Sequence, residues 1–166
     1  MLLVRLSECA SIATRDKGGI VSRFARRIQR VPAAGGELYL TPASGSYSSG
    51  ATVTVTIREN SGSTPVNAVQ ANLTYPSSQL QFQSINTSTS AFTTTLQNSG
   101  GSGTVQIGVG ALGSSVTGDA IVAVVTFTVI GTGTAAVQFA AGSGIAQTSD
   151  STDICKKKTG SSYTLS

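Results

Sequence analysis

The chain contains no histidine and no tryptophan among its 166 residues, and its only cysteines are Cys9 and Cys155. Without an imidazole there is no side chain whose ordinary pKa suits a general base at neutral pH, so the many serines have nothing to activate them. A paired-carboxylate mechanism needs two acids brought together. After residue 36 the acids are Glu37, Glu59, Asp119, Asp150 and Asp153, and Glu59, directly after Arg58 at a strand end, reads as a solvated loop charge. The composition argues against an enzyme. Two cysteines are too few for a disulfide scaffold or a zinc site. A Cys9–Cys155 bridge would join opposite sides of the apparent domain, so a hydrophobic core has to hold the fold. A glycan-stacking platform would fall to Tyr39, Tyr47, Tyr75 and Tyr163. Of these Tyr75 lies on the inner face of its strand, and Tyr47, in a Gly- and Ser-rich turn, is the candidate for exposure.

Charge is also scarce, at 11% of residues. The formal net charge of +4 suggests a nucleic-acid partner, but seven of the eleven cations precede residue 31. From Glu37 onward Arg58, Lys156, Lys157 and Lys158 face five acids, so the body is near neutral and lacks the basic stripe that holds phosphate backbones. No stretch approaches the roughly 18 apolar residues of a membrane-crossing helix. The longest apolar run near the start, residues 1–4, is shorter than the roughly 7 to 15 residues a secretory signal uses. The chain as it stands is expected to carry neither.

Residues 1–36 differ from the rest. Ile20, Phe24, Ile28 and Val31 share one helical face and Arg23, Arg26, Arg27 and Arg30 surround the other, the pattern of a basic amphipathic helix. A disordered leader is the competing reading. Residues 37–166 make one domain's length, and here the period becomes two. Val53, Val55 and Ile57 alternate with Thr52, Thr54, Thr56 and Arg58. Val69, Ala71, Leu73 and Tyr75 alternate with Ala68, Gln70, Asn72 and Thr74. Further strands are expected from Leu80 and Phe82 and over 92–96, 105–109, 121–129, 135–139 and 163–165, with Gly/Ser clusters such as 98–103 as turns. The pattern predicts an all-β, antiparallel two-sheet sandwich with jelly-roll topology and about nine strands. Asp150 and Asp153 can offer oxygens to calcium, or can close an Asx-rich turn by bonding their own backbone. Asp119 reads as a turn residue, and Lys156, Lys157 and Lys158 as a solvated hairpin tip.

The order of motifs resembles a cohesin domain. Pro42-Ala43-Ser44-Gly45-Ser46-Tyr47 followed by Ser49-Gly50-Ala51-Thr52-Val53-Thr54-Val55 is similar to the family's opening turn and strand. Residues 69–82, VQANLTYPSSQLQF, are similar to its alternating strand, Tyr, Pro-containing turn and Leu-centred strand. Gly118-Asp119 before residues 121–129 resembles its glycine-acid turn and long penultimate strand. The resemblance implies a nine-stranded jelly roll, like that of family 3 carbohydrate-binding modules, that binds calcium-loaded dockerin domains. It implies no cofactor on this chain, with calcium on the partner. It places the partner-binding row at Ala68, Gln70, Asn72 and Thr74. Two departures stand out: Ala68 and Gln70 occupy positions often acidic or amidic in the family, and Pro76 replaces the acid after Tyr75. The expectation is a monomeric, non-catalytic docking module of a bacterial secreted or surface protein. A carbohydrate-binding module and a structural spacer are the alternatives.

Overall fold

The inward rows of Val, Leu and Ile can leave water only if two sheets face each other, and this is the arrangement found. The computed structural model describes residues 35–166. The reading of a basic leader therefore lies, but for its last two residues, outside the described residues, as does Cys9. Every regular element among them is a strand: β1 (Gly36–Thr41), β2 (Ser44–Tyr47), β3 (Thr52–Asn60), β4 (Val66–Thr74), β5 (Leu80–Asn86), β6 (Thr94–Gly101), β7 (Thr104–Gly110), β8 (Asp119–Val129), β9 (Gly133–Phe139), β10 (Gly144–Gln147), β11 (Cys155–Thr159) and β12 (Ser161–Leu165). One sheet has the order β11-β1-β3-β8-β5 and the other β2-β12-β9-β4-β7-β6, with β10 paired to β4.

The period-two reading holds strand by strand. Val53, Val55 and Ile57 of β3 and Val125, Phe127 and Val129 of β8 are buried, as are Val69, Ala71 and Leu73 of β4 and Val105, Ile107 and Val109 of β7. Each Val, Leu, Ile or Phe among them contributes roughly 1.5–3 kcal/mol by leaving water. Phe127 joins the layers at one end, its ring 4.8 Å from that of Tyr75 after β4 and 6.3 Å from that of Phe82 on β5.

Several expectations are corrected. Among the described residues twelve strands replace about nine, β1 and the short β2, β10 and β11 being those not expected above, and two pairings are parallel: β1 with β11, and β2 with β12. Strands of four or five residues are too short to declare themselves by periodicity. Lys156, Lys157 and Lys158 are thus not a hairpin tip but the body of an edge strand, where lysines deter pairing with a second chain. Residues 98–101, expected as turn, lie in β6 and pair with β7. The turn is confined to Ser102 and Gly103, both at positive φ (51° and 85°), as a two-residue hairpin with right-handed strand twist requires.

A further correction is Glu59. It continues the inward row of β3 and is 0% exposed, and neither carboxylate oxygen has a hydrogen-bond partner; the buried Ser61 hydroxyl is likewise unpartnered. The adjacent Arg58 side chain turns to the other face, where it bonds Asp119. Burial pushes the Glu59 carboxyl up to about 7, the negative charge of Asp119 acts in the same direction, and the nearby Ser61 hydroxyl and amide oppose it.

Two stability predictions follow from this packing. The folded protein keeps the Glu59 proton to about pH 7, whereas the unfolded chain releases it near 4.5. Between those values the folded state binds more protons, so stability is full below the window and falls as pH rises through it. The loss is about 3 kcal/mol by linkage. Urea unfolding from pH 4.5 to 8 should show this decline, and E59Q should lack it. At the β8–β9 turn, a Cβ on Gly131 would lie 2.6 Å from the Ser78 carbonyl oxygen and 3.0 Å from the Gln79 Cα. These are backbone atoms that cannot swing aside. Gly131→Ala should destabilise by about 1–3 kcal/mol, read as a lower urea midpoint at unchanged m-value.

Candidate docking face

β4 lies inside its sheet, paired with β7 from Ala68↔Gly110 to Thr74↔Thr104. Its other edge is covered by β10 over its first half and by β9 at its end. Because its inner row is Val69, Ala71 and Leu73, the residues between them must face out. The structure brings Ala68, Gln70, Asn72 and Thr74 onto that outer face, the first three half-buried and Thr74 exposed.

The amides of this row are already engaged. Gln70 Nε2 donates to Asn72 Oδ1 at 2.8 Å and to Gln97 Oε1 on β6 at 2.9 Å, and Gln97 Nε2 donates to Gln106 Oε1 on β7 at 2.9 Å. Asn72 Nδ2 donates to the Ala141 carbonyl at 3.0 Å. The reach from β4 to β6 passes over Gly108, which sits opposite Gln70. A Cβ there would lie 2.9 Å from Gln70 Oε1. The result is an uncharged amide chain across three strands, each bond contributing roughly 1 kcal/mol net.

Toward the start of β4 the face becomes apolar. Ala68, Gly110 and Ala146 form a floor of small residues between two exposed leucines, Leu96 (64% exposed) and Leu112 (73%). Together with Asn67, Thr148 and others they bound a groove of about 710 Å³, whose lining contains no charged side chain. A smaller hollow of about 290 Å³ lies beyond Leu96, over Gln70, Gly108 and Gly144, with Asp153 on its wall. Leu96 stands outward at the break in β6–β7 register between Thr95 and Gln97; such bulges re-aim a side chain. Leu112 belongs to the connection 111–118, which is fastened to the start of β4. Ala111 N donates to Asn67 O at 2.8 Å, and Val66 and Val116 exchange two bonds of 2.8 Å.

Sequence reasoning found the β4 row and missed Leu96, Leu112 and Gly110. Leu96 read as part of a strand over 92–96, and no one-dimensional pattern reports a bulge or brings residue 112 beside residue 96. Asp150 and Asp153 act within their own loop. Asp150 Oδ1 accepts from the Thr152 amide at 2.9 Å and from Gln147 Nε2 at 2.8 Å, and Asp153 Oδ1 accepts from the amides of Ile145 at 3.0 Å and Cys155 at 2.9 Å. These bonds hold the Asp150 carboxyl below its ordinary pKa. No cluster of three or more acids and cysteines suited to a metal occurs among the described residues. Tyr47 is half-buried with its ring edge-on to Tyr163 at 5.6 Å. The Tyr39 hydroxyl, on the opposite sheet, is 2.7 Å from both oxygens of Asp119.

The family model for the cohesin domain matches residues 37–164. No curated protein matches the chain significantly. Among solved structures, the seventh ScaB type I cohesin from Pseudobacteroides cellulosolvens is 17% identical, with TM-score 0.66, over 80% of this chain and 92% of that one. CaCohA2 from Clostridium acetobutylicum is 19% identical, with TM-score 0.64, over 80% and 91%. A non-cellulosomal cohesin from the hyperthermophilic archaeon Archaeoglobus fulgidus is 15% identical, with TM-score 0.65, over 80% and 92%. At these identities the likeness is one of fold, while the family match spans most of the chain: the protein belongs to the cohesin domain family.

Proposed function

We propose that this domain is a non-catalytic docking module that holds a dockerin-type partner protein on the outer face of β4, β6 and β7. The observation that carries this reading is the pair of exposed leucines, Leu96 and Leu112, flanking a floor of Ala68, Gly110 and Ala146. Exposed apolar surface of this kind, rimmed by hydrogen-bonding groups, is what a binding partner covers. Gln70, Asn72 and Thr74 continue the face as its polar margin. Support also comes from relatives: CaCohA2 has been solved in complex with CaDoc0917, and the third ScaC cohesin of Acetivibrio cellulolyticus in complex with the ScaB dockerin. Calcium would then belong to the partner, and the setting would be a secreted or surface protein.

The face departs from an ion-paired contact. The larger groove has no charged lining, and the smaller one has only Asp153, whose Oδ1 accepts two backbone amides. Partner affinity should therefore rest on apolar burial and be weakly sensitive to salt. A carbohydrate platform is less well supported. Tyr75 and Tyr163 are buried in the core, Tyr47 packs on Tyr163 and Tyr39 is tied to Asp119, so the tyrosines form no flat exposed strip.

Calorimetry against a panel of calcium-loaded dockerins, at 0.05 and 0.5 M salt, tests the reading. Binding is expected to survive high salt. Leu96→Asp or Leu112→Asp should weaken it roughly tenfold or more, as for central apolar anchors, whereas Thr74→Ala should change it less than threefold. Retention on cellulose or chitin with no dockerin bound would replace the proposal with a carbohydrate module.

A further inference from the structure

We propose that Glu59 is a proton-operated latch on the connection 111–118, which carries one wall of the docking groove: its neutral carboxyl lets the seam beneath that connection close, and its ionised form loosens the seam and the wall. The second half of this inference rests on the docking reading above.

The geometry places the latch. Glu59 sits opposite Ala120 of β8 and Leu38 of β1, two residues before Ser61. At Ser61 the β3–β4 connection meets the end of 111–118. Ser61 N donates to Gly118 O at 3.0 Å, and Gly118 N donates to Gly62 O at 2.7 Å. The paired bonds of Val66 and Val116 close the next step, and from there the same segment runs to Leu112, Gly113 and Ser114 in the groove lining. The seam thus joins a carboxyl with no hydrogen-bond partner to the groove wall through one short connection. A buried carboxylate left in this state is costly unless it takes up a proton or draws in water. Drawing in water means parting the seam, because Ser61 is the polar group beside it and is itself buried without a partner for its hydroxyl.

The surroundings offer no compensating cation. On β3 itself, Arg58 faces the other way and is engaged with Asp119 at 3.0 Å. On β8, Asp119 is the charge whose field reaches Glu59, and it opposes ionisation. On β1, Glu37 is paired with Lys157 of β11 at 2.8 Å, and the Tyr39 hydroxyl is bonded to Asp119. β4 and the connections 61–65 and 111–118 contain no titratable side chain. No cation on these elements is free to balance the ionised form; the Ser61 hydroxyl and amide favour it, and burial together with Asp119 outweighs them. The latch is therefore closed on the acid side of neutrality and opens on the alkaline side.

The test is an NMR titration of the full chain from pH 5 to 9, following the Glu59 side-chain carboxyl, the amides of Ser61, Val116 and Gly118, and the Leu112 methyls. All are expected to shift together with a midpoint near 7, and the amide and methyl shifts should vanish in E59Q. Seam amides that stay still, or that titrate equally in E59Q, would overturn the latch. So would a Glu59 midpoint at the ordinary carboxyl value. Seam amides that titrate while the Leu112 methyls do not would overturn the link to the groove. Should E59Q fold poorly, Asp119→Asn serves instead: it removes the repelling charge and should move the common midpoint toward acid, and an unmoved midpoint counts against the proposal. Because no partner is needed, a failure of dockerin binding would bear on the docking reading and leave this result standing.

Discussion

The contact between two sheets around Phe127 is the constraint on which the other features depend. Its ring meets Tyr75 from the far sheet and Phe82 from its own, so β4 and β8 cannot slide along each other without opening the core. Sheets have a side-chain period of two, and a slip of one residue would expose every inner residue of a strand. With β4 locked in this way, the outward position of Ala68, Gln70, Asn72 and Thr74 is a consequence of inner-face packing. This outer row inherits its order from the core.

Much of this was legible before any coordinates. Alternation located β3, β4, β7, β8 and β9, because each buries one face and leaves the other to Thr, Gln or Asn, and this contrast is written residue by residue. Short edge strands such as β2 and β11 escaped because four or five residues carry too little period. The Gly/Ser run at 98–101 escaped for another reason: glycine is a poor strand former in isolation, and here the ladder with β7 overrides it. Glu59 is the most instructive miss. Standing directly after Arg58 at a strand end, it reads as a solvated loop charge, yet its position two residues after Ile57 continues the inward row. In the folded protein, burial overrules the charge by holding the carboxyl neutral up to about pH 7.

The face itself was half legible. The polar row lies on one strand and follows from one alternation, whereas the groove is assembled from β4, β6, β10 and the connection after β7, and depends on a bulge. It also shows how an uncharged surface can be specified. Gly108 clears a lane so that Gln70 reaches Gln97, fixing amide directions with no ion pair. Such a surface is defined by shape and hydrogen-bond direction, and its preferences should change little with ionic strength.

The strand edges have one more consequence. Each sheet ends in two strands whose free backbone groups invite a second copy, and each of the four is blunted differently. β11 carries three lysines, β2 is four residues long, β5 is broken in register between Phe82 and Ser84, and β6 is bulged at Leu96. These are the means by which sheet proteins avoid edge-to-edge growth. A body with so little charge has weak electrostatic protection against self-association, so its colloidal behaviour is governed by edge geometry instead. Edge-to-edge joining of copies into a continuous sheet is thereby disfavoured, and among the described residues the exposed large apolar side chains are left to the leucine groove and to Ile130.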